Sequence, residues 1–202
     1  MLFRSAEVGV CVAVGLIFVL KDLRLTALLH IAIALFFALA PDSVTDRAMS
    51  MFDMKDPTVR DRVAMLETGE AMIADHPLTG VGPNMIERFY PQYRAPDAVN
   101  ASNPHLHNVP VQIAAERGLP ALAIWIWAIA SMLMALLRLF RQGSDRVLPA
   151  AGLAAMVAML GAGLFEYNFG DSEFLMLLLV LVTLPFAAAR AGDDSAAATA
   201  RS

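Results

Sequence analysis

The chain alternates long apolar runs with a single polar insert. Apolar runs cover 4–20, 25–40, 119–137, 147–165 and 174–189, and a stretch of mixed sign from Asp56 to Gly118 separates the second run from the third. A helix needs ~20 predominantly apolar residues to cross a ~30 Å hydrocarbon core. The run from Leu119 to Leu137 carries no charge and holds Trp125 and Trp127. The 147–165 run is also uncharged and rich in Gly and Ala, small residues that let helices approach closely. The 174–189 run is dense in leucine. The 4–20 run reaches spanning length only if its helix begins near Phe3 and leaves Arg4 and Glu7 at the interface. The 25–40 run is closed by Pro41-Asp42. Its His30 has no intramembrane acidic partner, which favours a packed or snorkelling histidine over a proton relay.

This pattern predicts an all-α polytopic membrane protein of about five transmembrane helices with one large helical loop. Two helices occupy 1–40, the loop 41–118 and three helices 119–189. The small, polar residues of 190–202 are expected to form a disordered cytoplasmic tail. Orientation follows from the short loops. Lys21 and Arg24 lie between the first two runs, and Arg138, Arg141 and Arg146 between the third and fourth. The turn between the last two has Glu166, Asp171 and Glu173 and no positive residue. The positive-inside rule then puts the insert and the Glu166–Glu173 turn on the outer side.

Composition agrees with a membrane protein. Of the 202 residues 58% are hydrophobic and 17% charged, with a mean hydropathy of +0.59. A net charge of -4 suggests no nucleic-acid partner. The single cysteine, Cys11, lies in an apolar run and excludes an intramolecular disulfide. The first apolar run ends in Lys21-Asp22-Leu23-Arg24 and not in a small-residue cleavage site.

Chemistry concentrates in the insert. Asp56-Pro57 reads as a helix start, with Asp as cap and Pro at the first helical position, and the helix is expected to reach about Asp75. At 100° per residue, Val59, Val63, Leu66 and Ile73 share one stripe. Arg62 borders it and Arg60 points away. Two readings stay open: solvated charges on a surface helix, or Arg62 aimed at the membrane domain beneath. Leu78-Thr79-Gly80-Val81-Gly82-Pro83-Asn84 reads as a turn into a short helix from Met85 to Tyr90, with Asn84 as cap. Glycines before a helix can cradle an anion, but the pattern is neither a Walker loop nor a Rossmann fingerprint, and a tight turn suffices. Tyr90, Tyr93 and Arg94 suit sugar stacking and suit an interfacial aromatic belt equally well.

Asn103-Pro104-His105-Leu106-His107-Asn108 is the densest polar cluster. Asn108 can cap a helix running to Arg117, with Gly118 as its stop. His107 then precedes a helix N-terminus, where the dipole disfavours positive charge, and a neutral imidazole is a competent general base. Two alternatives remain: a metal pair from His105 and His107, which would need Asp or Glu from elsewhere, or capping and packing only.

The ordered set goes further than its parts. An Arg-bearing helix leads into Ala74-Asp75-His76-Pro77-Leu78-Thr79-Gly80-Val81-Gly82, then a Tyr-rich segment, then His105-Leu106-His107-Asn108. Gln112-Ile113-Ala114-Ala115-Glu116-Arg117-Gly118-Leu119 then runs into a membrane span. This resembles the large outer loop of the O-antigen ligase and O-antigen polymerase family, over roughly residues 1–140. The resemblance implies a multi-pass protein of the bacterial inner membrane with a periplasmic loop. It implies a glycan donor on undecaprenyl pyrophosphate and an acceptor that is either the lipid A core, for a ligase, or another lipid-linked glycan, for a polymerase. No metal and no cofactor are implied. The family's essential histidine falls on His107 and its loop arginine on Arg62, the two catalytic candidates. A further arginine falls loosely on Arg4, which joins Arg94, His105 and Asn108 as substrate-binding candidates. Family members usually have about twice as many spans, so the chain corresponds to the C-terminal half of one. A non-catalytic fragment or scaffold is the alternative.

Overall fold

The computed structural model describes residues 2–21, 24, 31, 34–35, 38–40, 57–143 and 145–199, with backbone alone at 2–8 and 193–199. Among them there is no β-strand. Six helices follow in order: α1 (Leu2–Lys21), α2 (Pro57–Asp75), α3 (Ile86–Tyr93), α4 (Val109–Gln142), α5 (Val147–Gly163) and α6 (Ser172–Thr199). A 3₁₀ turn at Asn168–Gly170 joins the last two. Helices α1, α4, α5 and α6 form an apolar bundle around Leu136, Leu153, Met156, Met159, Leu178 and Val182. Helices α2 and α3 pack on the first part of α4 around Met65, Met72, Ile86, Tyr90, Leu106 and Ala115.

Among the described residues two helices, α4 and the Ser172–Gly192 part of α6, are long and apolar enough to cross a membrane. Gly9–Lys21 and Val147–Gly163 are apolar but shorter. The second expected span, 25–40, lies mostly outside the described residues. The bundle turns Ile124, Trp127, Met176, Leu177 and Val180 outward. Exposed apolar surface of this extent fits lipid contact rather than water. The stretch expected to be a disordered tail continues α6 as helix to Thr199.

Two expectations about the insert need correction. Helix α2 has the expected limits, but it buries Asp61, Ala64, Met65, Thr68, Gly69 and Met72. Val59, Val63, Leu66 and Ile73 are only half-buried. The buried face is set by polar docking as much as by apolar packing. Asp61 accepts the backbone N–H groups of Val99 and Asn100, at 3.0 and 3.1 Å. The Thr68 hydroxyl donates to Ala64 O and accepts from Ala95 N. Hydrogen-bonded polar groups are tolerated inside, and a hydrophobicity wheel cannot anticipate them. Helix α3 starts one residue later than expected and runs on to Tyr93. Met85 occupies the cap position without a side-chain bond, because Asn84 adopts a left-handed conformation with φ 58°.

A break in α4 decides how the insert meets the bundle. At Gly118 the backbone leaves the helix, with φ 81° and ψ 168°. Pro120 follows in the first turn of the second segment, where its missing N–H costs nothing. The carbonyls of Ala115 and Glu116 lack helical partners here: the break takes Leu119 N away from Ala115, and Pro120 has no N–H to offer Glu116. The loop after α2 fills both: Val81 N donates to Ala115 O at 2.8 Å and Gly82 N to Glu116 O at 3.0 Å. In return Leu119 N donates to Pro77 O at 2.8 Å. The two backbones lie so close that a Cβ at Gly118 would sit 2.2 Å from Leu78 O, and one at Gly80 2.3 Å from the Glu116 carbonyl carbon. The glycine-rich turn is therefore a splice across a helix break, and the N–H groups of Gly80, Val81 and Gly82 are already committed.

Candidate functional site

The His107 loop is held from both sides. Upstream, Leu106 is buried under α2, and its N–H donates to Gln112 Oε1 at 2.8 Å. Gln112 Nε2 donates in turn to Glu116 Oε1 at 2.8 Å. The same carboxylate accepts Asn84 N, and its other oxygen accepts Arg117 Nη1 at 2.7 Å. Glu116 is almost wholly buried, so these bonds are what makes its burial tolerable. Downstream, Asn108 caps α4 as expected, its Oδ1 accepting Val111 N at 3.0 Å. Between the two anchors His107 is in the left-handed region, at φ 48°, a conformation histidine adopts more readily than most residues.

A second loop completes the site. The residues after α5 fold back onto the histidine loop through three contacts. Asn108 Nδ2 donates to Leu164 O at 3.1 Å. The rings of His105 and Tyr167 lie 5.1 Å apart, tilted by 43°. His107 Nδ1 approaches Glu166 Oε1 to 2.5 Å. This last approach is close but out of line, so Nδ1 has no well-aligned hydrogen-bond acceptor. Contact with His107 is the main cause holding the Glu166 carboxyl below the usual range. Partial burial works against it, and Tyr167 N and the charge of Arg62 support it. Arg62 thus stands close enough to act on the same carboxylate. It is half-buried on α2, whereas Arg60 is exposed.

The structure sorts the other expected residues. Arg4 falls in the first turn of α1. Gly9 of that helix lies against Ala158 and Ala162 of α5, so the helices are antiparallel and the Arg4 end of α1 is the Glu166 end of α5. The side chain of Arg4 is not described. Asn108 has both ends of its amide engaged and serves to position the loop. His105 is exposed with its ring against Tyr167. Arg94 is exposed just beyond α3, and no contact among the described residues links it to His107. Tyr90 is fully buried, its hydroxyl accepting Asn103 Nδ2 at 3.1 Å, so it offers no stacking face. Tyr93 is half-buried, with its hydroxyl 3.3 Å from His76 Nε2. His105 and His107 have different partners, and no group of three or more His, Cys, Asp or Glu comes together among the described residues.

Glu166 is the member that sequence reasoning missed. It figured only as one of three acids marking an outward-facing turn. The available signal was its place directly after a span whose end must meet the loop, on the face read as outer.

A helical bundle with an apolar outer surface, carrying an imidazole and a carboxylate where two loops meet and a guanidinium on the helix beside them, describes a membrane-associated protein with a polar cluster at one end of its helices. The O-antigen ligase family model (Wzy_C) matches residues 3–126, more than half of the chain, and the protein belongs to that family. The match takes in Arg4, Arg62, Arg94, His105, His107 and Asn108, and it ends before Glu166. Comparison with curated proteins returns no match.

Proposed function

We propose that the chain transfers a glycan from undecaprenyl pyrophosphate to a sugar hydroxyl on the outer face of the bacterial inner membrane, in the manner of an O-antigen ligase. The observation that carries this reading is the approach of His107 to Glu166 within reach of the Arg62 charge. A carboxylate beside Nδ1 favours the tautomer with its proton there, and in that tautomer Nε2 is the base atom. Nε2 takes the proton of the acceptor hydroxyl as its oxygen attacks the anomeric carbon. The bond from that carbon to the diphosphate breaks, and the diphosphate leaves with the electron pair. Negative charge grows on it, and arginine answers that charge with a permanent positive fork. Arg62 fills this role, with Arg4 at the same end of the bundle. Direct displacement inverts the anomeric centre. Glu166 orients the imidazole, as the acid does in other imidazole-based sites.

The test is complementation. His107→Ala, expressed in a strain lacking its own ligase, is expected to leave lipopolysaccharide without O-antigen ladders, while the unaltered protein restores them. Ladders of normal intensity with His107→Ala contradict the catalytic role. Glycan lengthened on its lipid carrier without transfer to the lipid A core assigns the protein to polymerases instead.

A further inference from the structure

The bundle carries a second polar feature at the end of α5 away from Glu166. A groove of about 490 Å³ opens between α1, α4 and α5. Ile17 and Leu20 of α1, Phe140 of α4, and Val147, Ala150 and Ala151 of α5 form its walls. Its remaining lining residues are Lys21 and Arg146, both exposed cations. The guanidinium carbon of Arg146 lies 5.8 Å from the centroid of the Phe140 ring, a cation–π arrangement that holds the charge over the apolar wall. Among the described residues no acid lines the groove. Asp145, next to Arg146, turns its Oδ1 to Val147 N at 2.8 Å and lines a different cavity, beside α6; Asp22, next to Lys21, lies outside the described residues.

We infer that this groove binds one anionic phospholipid, with its phosphate between Lys21 and Arg146 and an acyl chain against Ile17, Leu20 and Val147. The argument is charge complementarity joined to an apolar wall. Two cations, with no acid among the described lining residues, favour a net-negative head over a zwitterionic one. Val147 is 76% exposed and Ile17 44% exposed, apolar surface that a soluble anion would leave uncovered. The volume lies within the range of about 300–1,000 Å³ usual for small-ligand sites. Lys21 ends α1 and Arg146 precedes α5, and the positive-inside rule places this end of the bundle at the cytoplasmic leaflet. A lipid there joins α1 to the rest of the bundle at the end opposite the transfer site. Helix α5 separates the two by about 25 Å, at 1.5 Å per residue, so the lipid stabilises the bundle without entering the reaction.

The test is native mass spectrometry of the delipidated full chain, offered palmitoyl-oleoyl phosphatidylglycerol or phosphatidylcholine at equal concentration. The expected result is a single adduct, favouring phosphatidylglycerol by roughly tenfold or more. The pair Lys21→Gln with Arg146→Gln is expected to abolish that preference. Both side chains are exposed, and circular dichroism checks that the helices persist. Ala151→Phe keeps both charges but fills the groove, and is expected to lower binding of either lipid. Equal binding of the two lipids to the unaltered chain overturns the proposal. So does a preference that survives the double substitution, or phosphatidylglycerol binding that Ala151→Phe leaves unchanged.

Discussion

The two loops that meet at the site are built on different principles. The His107 loop carries its own instructions: a buried Leu106, a buried Gln112–Glu116 relay behind it, and a cap at Asn108 ahead of it. The Glu166 loop is tied to the bundle, by Asn168 Nδ2 to Met159 O at 3.2 Å and by Phe169 edge-on to Trp125, and it also leans on the other loop. Leu164 O, Tyr167 and Glu166 each meet a partner between His105 and Asn108. One loop is a platform braced by its own buried network; the other, anchored at the bundle, is fitted to it at Glu166 and Tyr167. Reaction geometry then depends on the platform, and fine orientation of the imidazole on the fitted loop.

Substitutions can separate the two roles. The largest effect is expected at His107 itself: His107→Gln lowers transfer by about a hundredfold or more without changing the thermal unfolding temperature. Breaking the platform comes next. Gly118→Ala forces a Cβ against Leu78 O at 2.2 Å in a left-handed conformation. It is expected to destabilise the loop by about 3 kcal/mol or more, read as a lower unfolding temperature with activity lost in parallel. Glu166→Gln disturbs the fitted loop only. Roughly a tenfold loss of transfer is expected, with little change in donor binding. Asn108→Ala removes the cap and the tie to Leu164, at a cost of about 1 kcal/mol. Arg94→Ala, outside the contact between the loops, is expected to leave transfer within about twofold, as an exposed charge away from any partner would.

The contact between the loops also predicts a pH dependence. The Glu166 carboxyl is held below its ordinary value of 4.5, mainly by His107. A lowered folded-state pKa contributes stability that is fully present above the ordinary value. That stability is lost as the pH falls below 4.5 and through the lowered one. Unfolding followed over this acid range is expected to lose that component in Glu166→Gln, while the two proteins keep the same slope at neutral pH.

What could be read from the sequence divides along the same line. The limits of α2, the Asn108 cap and the helix break at Gly118 were legible because each rests on local chemistry: a proline at a first turn, an amide before a helix, a glycine where φ must be positive. Arg62 and His107 were legible through their order along the chain. Glu166 was not, because a carboxylate in a short turn looks like any solvated acid until the chain brings it to His107. The buried face of α2 was misjudged for a related reason. Asp61 and Thr68 face inward to bind the backbone of 95–100, a tertiary demand that leaves no mark on hydropathy. The short reach of α1 could be counted in advance, whereas α5 stops at Gly163, two residues inside its apolar run. The continuation of α6 to Thr199 could not be foreseen, since alanine-rich sequence permits helix and disorder alike.

The central claim is that His107 takes the acceptor proton while Glu166 orients it. The most direct measurement is the rate of glycan transfer in proteoliposomes, from an undecaprenyl-pyrophosphate donor to a lipid A core acceptor. The unaltered protein, His107→Gln and Glu166→Gln would be compared across neutral pH. The account predicts background rates for His107→Gln. It predicts a reduced rate with an altered pH profile for Glu166→Gln, both proteins binding donor normally. Transfer by His107→Gln at the rate of the unaltered protein would contradict it.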